Sequence, residues 1–149
     1  MNAPLKILLP VDGSAHALAA VRHAMRLAAV TAEYVLVNVQ EPPTLYEVVV
    51  THDTDRLAEL RREAGRDLMR DAEALLDAAG ARYEYEVVGG TPPHMVVELA
   101  ENYGCDAIVM GARGRGATAG AGGLGSVAMA VLDGSAVPVT VVRAPGEGP

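Results

Sequence analysis

The strongest constraint on the fold is a repeated change in the spacing of apolar residues along the chain. Short apolar runs typical of buried strands alternate with segments whose apolar residues recur every three or four positions, as on one face of a helix. This alternation predicts an α/β fold in which a five-stranded parallel sheet carries helices on both faces. The predicted strands are residues 5–9, 33–39, 82–88, 106–110 and 137–142.

Two of the predicted helices have clear apolar stripes. The first begins after Gly13 and Ser14, and we expect His16 and His23 to lie on its polar side. The second is long and ends at Gly80, because glycine tolerates the left-handed conformation of a helix cap. The predicted stripes are Leu18, Val21, Met25 and Ala28 in the first helix, and Leu57, Leu60, Ala64, Leu68, Ala72, Leu75 and Ala79 in the second.

Two of the strands are expected at the edges of the sheet. Residues 82–88 alternate polar and bulky side chains, which is typical of a strand with one partly wet face. Pro138 lacks an N–H group, so the last strand should lie at an edge or begin there. Residues 41–53, between the second strand and the long helix, are predicted to be irregular.

The length of 149 residues fits a single domain with one core. We expect an ordered core over residues 4–143 and a loose tail from Ala144 onward, because the tail is short and rich in Pro and Gly. No stretch approaches the roughly 20 apolar residues of a membrane-spanning helix. The N-terminal residues lack the pattern of an export signal, so a cytoplasmic location is expected. Cys105, the single cysteine, should pack near the start of a strand.

Net charge and aromatic content exclude several partners. The formal charge of −7 argues against a nucleic-acid partner, whose phosphates require a basic face. Five tyrosines without Phe or Trp are too few for a platform that stacks single-stranded bases, and they disfavour a flavodoxin-like electron carrier. A free nucleotide remains compatible, because a local pair of arginines can act within an acidic protein.

Two loops are the candidates for ligand binding. In parallel α/β sheets, ligands bind beyond the carboxyl ends of the strands, where the strand order reverses. The loops there are residues 10–14 and the glycine-rich residues 111–126. The glycines can present N–H groups to an anion, the helix beginning near Ser126 adds its positive end, and Arg113 and Arg115 add charge. A phosphate site and a flexible linker both fit this composition.

Three stretches carry a family resemblance: KILLPVDGS at the first strand, GGTPPHMVVELAENYGCDAIVMGARG across the fourth, and GSVAMAVLDGSAVPVTVVR into the last. Through them the chain resembles the universal stress protein family over roughly residues 4–143. The resemblance implies a Rossmann-like, adenine nucleotide alpha hydrolase-like fold with strand order 3-2-1-4-5. It also implies a stress-response regulator that binds ATP or another adenine nucleotide, with Mg or Mn at the phosphates and at most slow hydrolysis or autophosphorylation.

The resemblance also assigns roles to particular residues. Nucleotide-binding members share a pattern of three glycines. Two residues separate the first glycine from the second, nine residues separate the second from the third, and Ser or Thr follows the third. Gly111 and Gly114 would then approach the ribose and phosphates, while Gly125 and Ser126 would hold the phosphate chain. Pro10, Val11 and Asp12 would border the adenine, with Val39, Met110 and Val127 as further walls. Arg113, which adds charge in the same loop, completes the predicted nucleotide site.

The chain departs from the family pattern in the length of this loop. Ten residues, not nine, separate Gly114 from Gly125. A longer loop of Gly and Ala loses more entropy when it orders around phosphate, which would weaken or abolish binding. Asp12 and Ser126 also fit a second role, as caps of the helices that follow them.

No catalytic residue is predicted, because the four histidines lie in separate segments and Ser14 lacks the pattern of a nucleophile elbow. Two functions therefore stay open. The first is an ATP-binding regulatory protein. The second is a nucleotide-independent dimeric interaction module of the same fold. A homodimer is expected through the apolar strand between Val137 and Val142, which can pair with its twofold mate.

Overall fold

The computed structural model describes residues 3–28, 31–114 and 123–145. Within these ranges no helix has both the length and the apolar character needed to cross a bilayer. The strands are β1 (Lys6–Pro10), β2 (Glu33–Gln40), β3 (Arg82–Gly89), β4 (Ala107–Gly111) and β5 (Val139–Val142). The helices are α1 (Ala15–Ala28), α2 (Leu45–Thr51), α3 (Thr54–Ala78), α4 (Pro92–Asn102) and α5 (Ser126–Gly134).

The five strands form one parallel sheet in the order β3-β2-β1-β4-β5, which confirms the predicted fold class and strand order. Each predicted strand agrees with the observed one to within two residues at either end. The expectation that β3 and β5 are the edge strands is also confirmed. The order reverses beside β1, so the carboxyl ends of β1 and β4 and the loops that follow them meet at one side of the sheet.

Two apolar layers cover the sheet. On one face α1 and α3 pack over side chains such as Leu9 and Leu36, and on the other α4 and α5 pack over Leu8 and Ile108. Alternate residues of each buried strand point to opposite layers, as parallel strands covered on both sides require. The buried thiol of Cys105 belongs to the second layer, near the start of β4, and burial raises its pKa.

The buried face of α3 is rotated relative to the predicted stripe. Its buried residues are Gly65, Met69, Ala72 and Leu76, whereas Leu60 is exposed. A Cβ atom on Gly65 would lie 2.6 Å from Val87 Cγ1 and 2.7 Å from Asn38 Oδ1. Because this glycine allows α3 to approach β2 and β3 so closely, the helix turns Gly65 and Met69 toward the sheet, and Leu60 remains exposed. The predicted end is confirmed, since Gly80 has a φ of 66°.

A short helix occupies residues 45–51, within the stretch that the sequence predicts to be irregular. Thr44 and Glu47 form a capping box, in which the Thr44 hydroxyl accepts a hydrogen bond from the Glu47 N–H and Glu47 reaches back to the Thr44 N–H. Arg61 of α3 donates to Glu47 Oε2 at 2.9 Å, and this contact lowers the pKa of Glu47. Local capping therefore stabilises a helix that has no buried apolar stripe.

His16 and the first residue of the expected tail are both more buried than predicted. His16, placed on the polar side of α1 by its spacing, is 5% exposed. Its Nδ1 accepts a hydrogen bond of 3.1 Å from the backbone N–H of Ala144, which is itself buried. The ordered chain therefore continues past residue 143, because the segment after β5 packs against the start of α1.

Candidate functional site

A cavity of about 720 Å³ opens where the carboxyl ends of β1, β2 and β4 meet the first turns of α4 and α5. All eleven residues predicted as nucleotide contacts line this one cavity, although they come from four separate parts of the sequence. They are Pro10, Val11, Asp12, Val39, Met110, Gly111, Arg113, Gly114, Gly125, Ser126 and Val127. Arg115 and the rest of residues 115–122 lie outside the described part of the chain.

The turn between β1 and α1 forms one wall of the cavity. Asp12 Oδ1 accepts a hydrogen bond of 3.0 Å from the Ser14 N–H, across Gly13 with its φ of 83°. Ser14 Oγ in turn accepts one of 3.1 Å from the Ala17 N–H. The hydroxyl of Ser14 therefore caps α1, and the Asp12 carboxylate shapes the turn before it. Ser14 also donates to the carbonyl of Arg113 at 3.4 Å, which joins this turn to the second loop.

The glycines at the end of β4 and in the loop after it lie in close contact with other parts of the chain. A Cβ atom on Gly111 would lie 2.7 Å from the backbone carbon of His16 and 2.8 Å from the backbone nitrogen of Ala17. On Gly114 it would lie 2.5 Å from Asp12 Oδ2. Gly111 thus allows the first turn of α1 to rest on β4, and Gly114 leaves room for the Asp12 carboxylate inside the cavity.

The first turn of α5 forms the opposite wall. Gly125 is its N-cap and supplies no side chain to cap the helix, while Ser126 is the first helical residue and is exposed. The Gly125 N–H donates to the Ala112 carbonyl at 2.8 Å, which fixes the helix start beside the end of β4. The amides that follow have no partner within the helix, so they give this end of the cavity a positive potential. Ser126 is therefore not the N-cap of α5.

Two arginines lie near the same end. Arg113 Nε donates to the Gly123 carbonyl at 2.7 Å, which holds its guanidinium beside the chain that returns to α5. A Cβ atom on Gly123 would lie 2.9 Å from Arg143 Nη1 and 3.1 Å from Arg113 Nη2. Both guanidinium groups therefore converge on Gly123. Arg113, which lines the cavity, adds positive charge to the end where the helix amides lie.

The end of β2 contributes side chains that the sequence prediction missed. Asn38 is buried within the strand, Gln40 is half-buried at its end, and the exposed Glu41 follows. The sequence signal that could have identified Asn38 and Gln40 is a pair of side-chain amides at the carboxyl end of an otherwise apolar strand. The other lining residues that the prediction missed are Ser14, Ala17, Val37, Leu68, Pro92, Val96, Ala112 and Ala128.

The two ends of the cavity differ in character. Helix amides, the Arg113 guanidinium and the Asp12 carboxylate beside Gly114 lie at the β4–α5 end, whereas neutral amides and the Glu41 carboxylate lie at the β2 end. Apolar walls such as Val39 and Met110 lie between them. Within the described residues no cluster of three or more His, Cys, Asp or Glu side chains could hold a metal ion. The arrangement suits a ligand with an anionic group at one end and an uncharged group at the other.

Sequence comparison identifies relatives across nearly the whole chain. The model of the universal stress protein family matches residues 5–143. The universal stress protein MJ0531 of Methanocaldococcus jannaschii is 31% identical over 150 residues, which cover 97% of this chain and 85% of that protein.

Solved structures resemble the chain over a similar extent. The structure of the hypothetical protein MJ0577 superposes with a TM-score of 0.81 at 27% identity, covering 98% of this chain and 100% of that one. A universal stress protein in complex with cAMP superposes with a TM-score of 0.72 at 28% identity, covering 96% and 99% of the two chains.

The contacts of Gly111 and Gly114 predict that replacement by alanine destabilises the protein to a different extent at each position. Gly111→Ala should lower the free energy of unfolding by about 1–3 kcal/mol, because its Cβ meets the backbone of α1, which is not free to move aside. Gly114→Ala should cost less than about 1 kcal/mol, because the Asp12 side chain can rotate away. Urea unfolding followed by circular dichroism measures both. Equal losses in the two variants would contradict this interpretation of the cavity wall.

Proposed function

The chain belongs to the universal stress protein family, and from this premise we propose that it binds an adenine nucleotide, in the first place ATP, as a regulatory protein of the stress response. The observation that carries the proposal is the cavity, where all eleven predicted contact residues lie at the reversal point of the sheet. Its volume of about 720 Å³ lies within the range of small-molecule sites.

The charge distribution supports one orientation of the nucleotide. The phosphates belong at the β4–α5 end, where the amides of the first turn of α5 and the Arg113 guanidinium favour negative charge, and where a divalent ion would offset the nearby Asp12 carboxylate. The base and ribose belong between Val11, Val39 and Met110, near the neutral end of the cavity. The similar solved structure that contains cAMP supports an adenine nucleotide as the ligand.

The extra residue in the phosphate loop is compatible with this proposal. The insertion lies between Gly114 and Gly125, and both of these glycines line the cavity. Gly125 is held by its hydrogen bond to the Ala112 carbonyl, so the loop returns to a fixed point whatever its length. The start of α5 therefore keeps its position beside β4.

A divalent ion fits the phosphate end. We propose Mg or Mn there, held by phosphate oxygens, with the Ser126 hydroxyl and the Asp12 carboxylate as the oxygen groups that the protein offers. When bound, the ion would neutralise part of the triphosphate charge. Asp12 lies close enough to Gly114 to bring its carboxylate to the loop that would hold the phosphates.

The binding proposal predicts a thermal shift that depends on Gly114. ATP with Mg at about 100 times its dissociation constant should stabilise the protein by about 2.7 kcal/mol, which raises the melting temperature by several degrees. Gly114→Val should fold but lose this shift, because its side chain would occupy the space between the loop and Asp12. Differential scanning fluorimetry with ATP, AMP, GTP and FMN, together with chromatography of any nucleotide released on denaturation, measures both effects.

The matched control is Gly134→Ala, at the end of α5, where a Cβ atom would make an ordinary contact of 3.8 Å with Val97. This variant should keep the full ATP shift. If ATP raised the melting temperature of Gly114→Val as much as that of the wild-type protein, the proposed position of the phosphates would be wrong. No shift with any ligand in the wild-type protein would favour the nucleotide-independent interaction module.

We further propose that β5 forms the interface of a homodimer. The strand lies at the edge of the sheet, and no described residue pairs with its outer side. The carbonyl of Pro138 accepts a hydrogen bond from Ile108 of β4, and that of Val142 accepts one from Ala112, just after β4. Alternate residues of β5 therefore direct their backbone groups toward β4, and Val141 directs its N–H and carbonyl toward the open edge. An open edge of this kind is suited to pairing with a second strand.

The dimer proposal predicts opposite results for two substitutions at Val141. Val141→Pro removes an outward-facing N–H but no hydrogen bond to β4, so it should give a folded monomer. Val141→Ala removes similar packing but keeps the N–H, so it should remain a dimer. Light scattering coupled to size-exclusion chromatography gives the mass of each. A dimeric Val141→Pro variant would exclude β5 as the interface.

A further inference from the structure

The outer edge of β3 is a long row of backbone groups without a partner strand among the described residues. On its inner side the strand pairs with β2 residue for residue from Arg82 to Gly89, and it contains neither a bulge nor a proline. Natural edge strands are usually short or interrupted by such features, because an open edge invites pairing with another chain. This regular edge of eight residues is long enough to accept a further strand.

A hydrogen bond at the end of β3 shows which of its residues face outward. The Gly90 N–H donates to the Gln40 carbonyl at 3.0 Å, so Gly90 directs its backbone toward β2. In a parallel ladder every second residue of a strand does the same, which places the backbone groups of Glu84 and Glu86 on β2 as well. The residues between them direct their N–H and carbonyl groups to the open edge, and they are Tyr83, Tyr85 and Val87.

A groove of about 520 Å³ is lined by residues of α3 and of this part of β3. In it the guanidinium of Arg66 lies over the exposed ring of Tyr85, with Cζ 3.6 Å from the ring centroid. Arg66 also donates to both carboxylate oxygens of Glu73, at 2.9 and 3.1 Å, which holds the guanidinium in place. Arg62 lies one turn earlier on the same side of α3, is exposed, and forms no ion pair with a described residue.

Two acidic residues also line the groove, but they lie farther from the strand. By helical spacing Glu63 and Asp67 are on the side of α3 that faces away from the sheet, opposite the buried Gly65. Asp67 accepts a hydrogen bond of 2.7 Å from Arg70 on the same helix. On the α3 side, the charge that remains for a partner at the edge of β3 is therefore the positive charge of Arg62.

The opposite face of the edge is acidic. Glu84 is exposed, and Glu86 is half-buried where it accepts a hydrogen bond of 3.0 Å from the Tyr103 hydroxyl. Both side chains lie on the α4 side of the sheet, since the alternate residue Val87 packs in the layer of α1 and α3. Arg82 shares the acidic face but lies at the start of the strand, outside the groove. A strand added here would therefore meet positive charge on one face and negative charge on the other.

These charges disfavour a second copy of this chain as the occupant. Two copies related by a twofold axis would pair their β3 strands antiparallel. With the two Tyr85 residues opposite each other, Glu84 of one strand would lie directly across from Glu86 of the other. Like charges in directly opposite positions are destabilising. The charge pattern favours a strand of different sequence.

We propose that the edge of β3 binds an extended segment of another protein as a sixth strand, and that this segment alternates acidic residues with basic or neutral ones. Its acidic face lies toward Arg62 and Arg66, and its other face lies toward Glu84 and Glu86. The outward backbone groups of β3 supply affinity, and the two charged faces supply selectivity. The groove shares no lining residue with the nucleotide cavity, so this interaction does not require a bound nucleotide.

The probe is the peptide TEKEKET, whose side-chain pattern is the same in both directions and which places every Glu on one face of a strand. In an NMR titration of the ¹⁵N-labelled protein, saturating peptide should slow hydrogen exchange at the amides of Tyr83, Tyr85 and Val87 by at least about tenfold, because these amides gain partners. The amides of Glu84 and Glu86, already bonded to β2, should not change. The peptide TKEEEKT has the same composition but mixes the charges on each face, so it should bind about fivefold more weakly.

Two pairs of variants test the side chains and the backbone separately. Arg62→Glu should weaken the binding of TEKEKET about fivefold, because it places like charges together. Arg22→Glu, on the exposed side of α1 and outside the groove, makes the same change in net charge and should keep the wild-type affinity. Tyr85→Pro removes an outward N–H but no bond to β2, so it should abolish binding, whereas Tyr85→Thr loses the same ring and should still bind. Circular dichroism confirms that each variant is folded.

The outcomes distinguish this occupant from the alternatives. Wild-type protein that binds TEKEKET no more tightly than TKEEEKT would overturn the proposal, as would saturating peptide that leaves the three outward amides unprotected. Equal weakening in Arg62→Glu and Arg22→Glu would also overturn it, because net charge alone would then explain binding. Protection of the outward amides that rises with protein concentration, without peptide, would show that a second copy occupies the edge. Because the peptide comparison uses the wild-type chain, its result does not depend on the stability of a variant.

Discussion

The site depends on how the backbone is held at the end of β4. Ala112 is fully buried, its N–H donates to the Val142 carbonyl at 2.8 Å, and its carbonyl accepts from the Gly125 N–H at the same distance. Beside it, the absence of a side chain at Gly111 lets the first turn of α1 rest on the strand. These contacts join β5, α5 and α1 at one point. The cavity exists because the starts of both helices are fixed there, with their amide ends toward the carboxyl edge of the sheet.

One consequence is that the ligand cavity and the outer edge of the sheet share a short path through the backbone. Val142 lies in β5, the strand we propose for dimer pairing, and it is one hydrogen bond from Ala112 in the wall of the cavity. The buried His16 adds a second connection, since it binds the Ala144 N–H while its own backbone touches Gly111.

A second consequence concerns charge. An acidic chain can offer an anion site because helix amides and Arg113 concentrate positive potential locally, while the neutral amides of β2 lie at the other end of the cavity.

The parallel α/β architecture, the edge strands and the two candidate loops were predictable from local patterns: apolar period, proline position and glycine-rich loops at strand ends. The strand order and the eleven predicted contact residues came instead from the family resemblance. Other features depend on partners distant in sequence. His16 lies on the polar side of α1 by spacing, yet it is buried by the segment after β5, 128 residues away. The face of α3 is set by Gly65 against Asn38 and Val87, and neither contact is visible in the helix itself. Asn38 and Gln40 could have been suspected from two amides in an apolar strand, but their orientation depends on Val11. The short helix α2 was missed because capping at Thr44 and an ion pair to Arg61 stabilise it in place of an apolar stripe.

The central claim is that backbone amides around the end of β4 and the start of α5 hold the phosphates of an adenine nucleotide. The most direct measurement is a titration of ¹⁵N-labelled protein with MgATP, followed by amide chemical shifts in two-dimensional NMR. The account predicts that the largest shifts occur at Gly114, Ser126 and Val127, and that adenosine without phosphates leaves these three amides nearly unchanged. Saturating MgATP that leaves these three amides unshifted would contradict it.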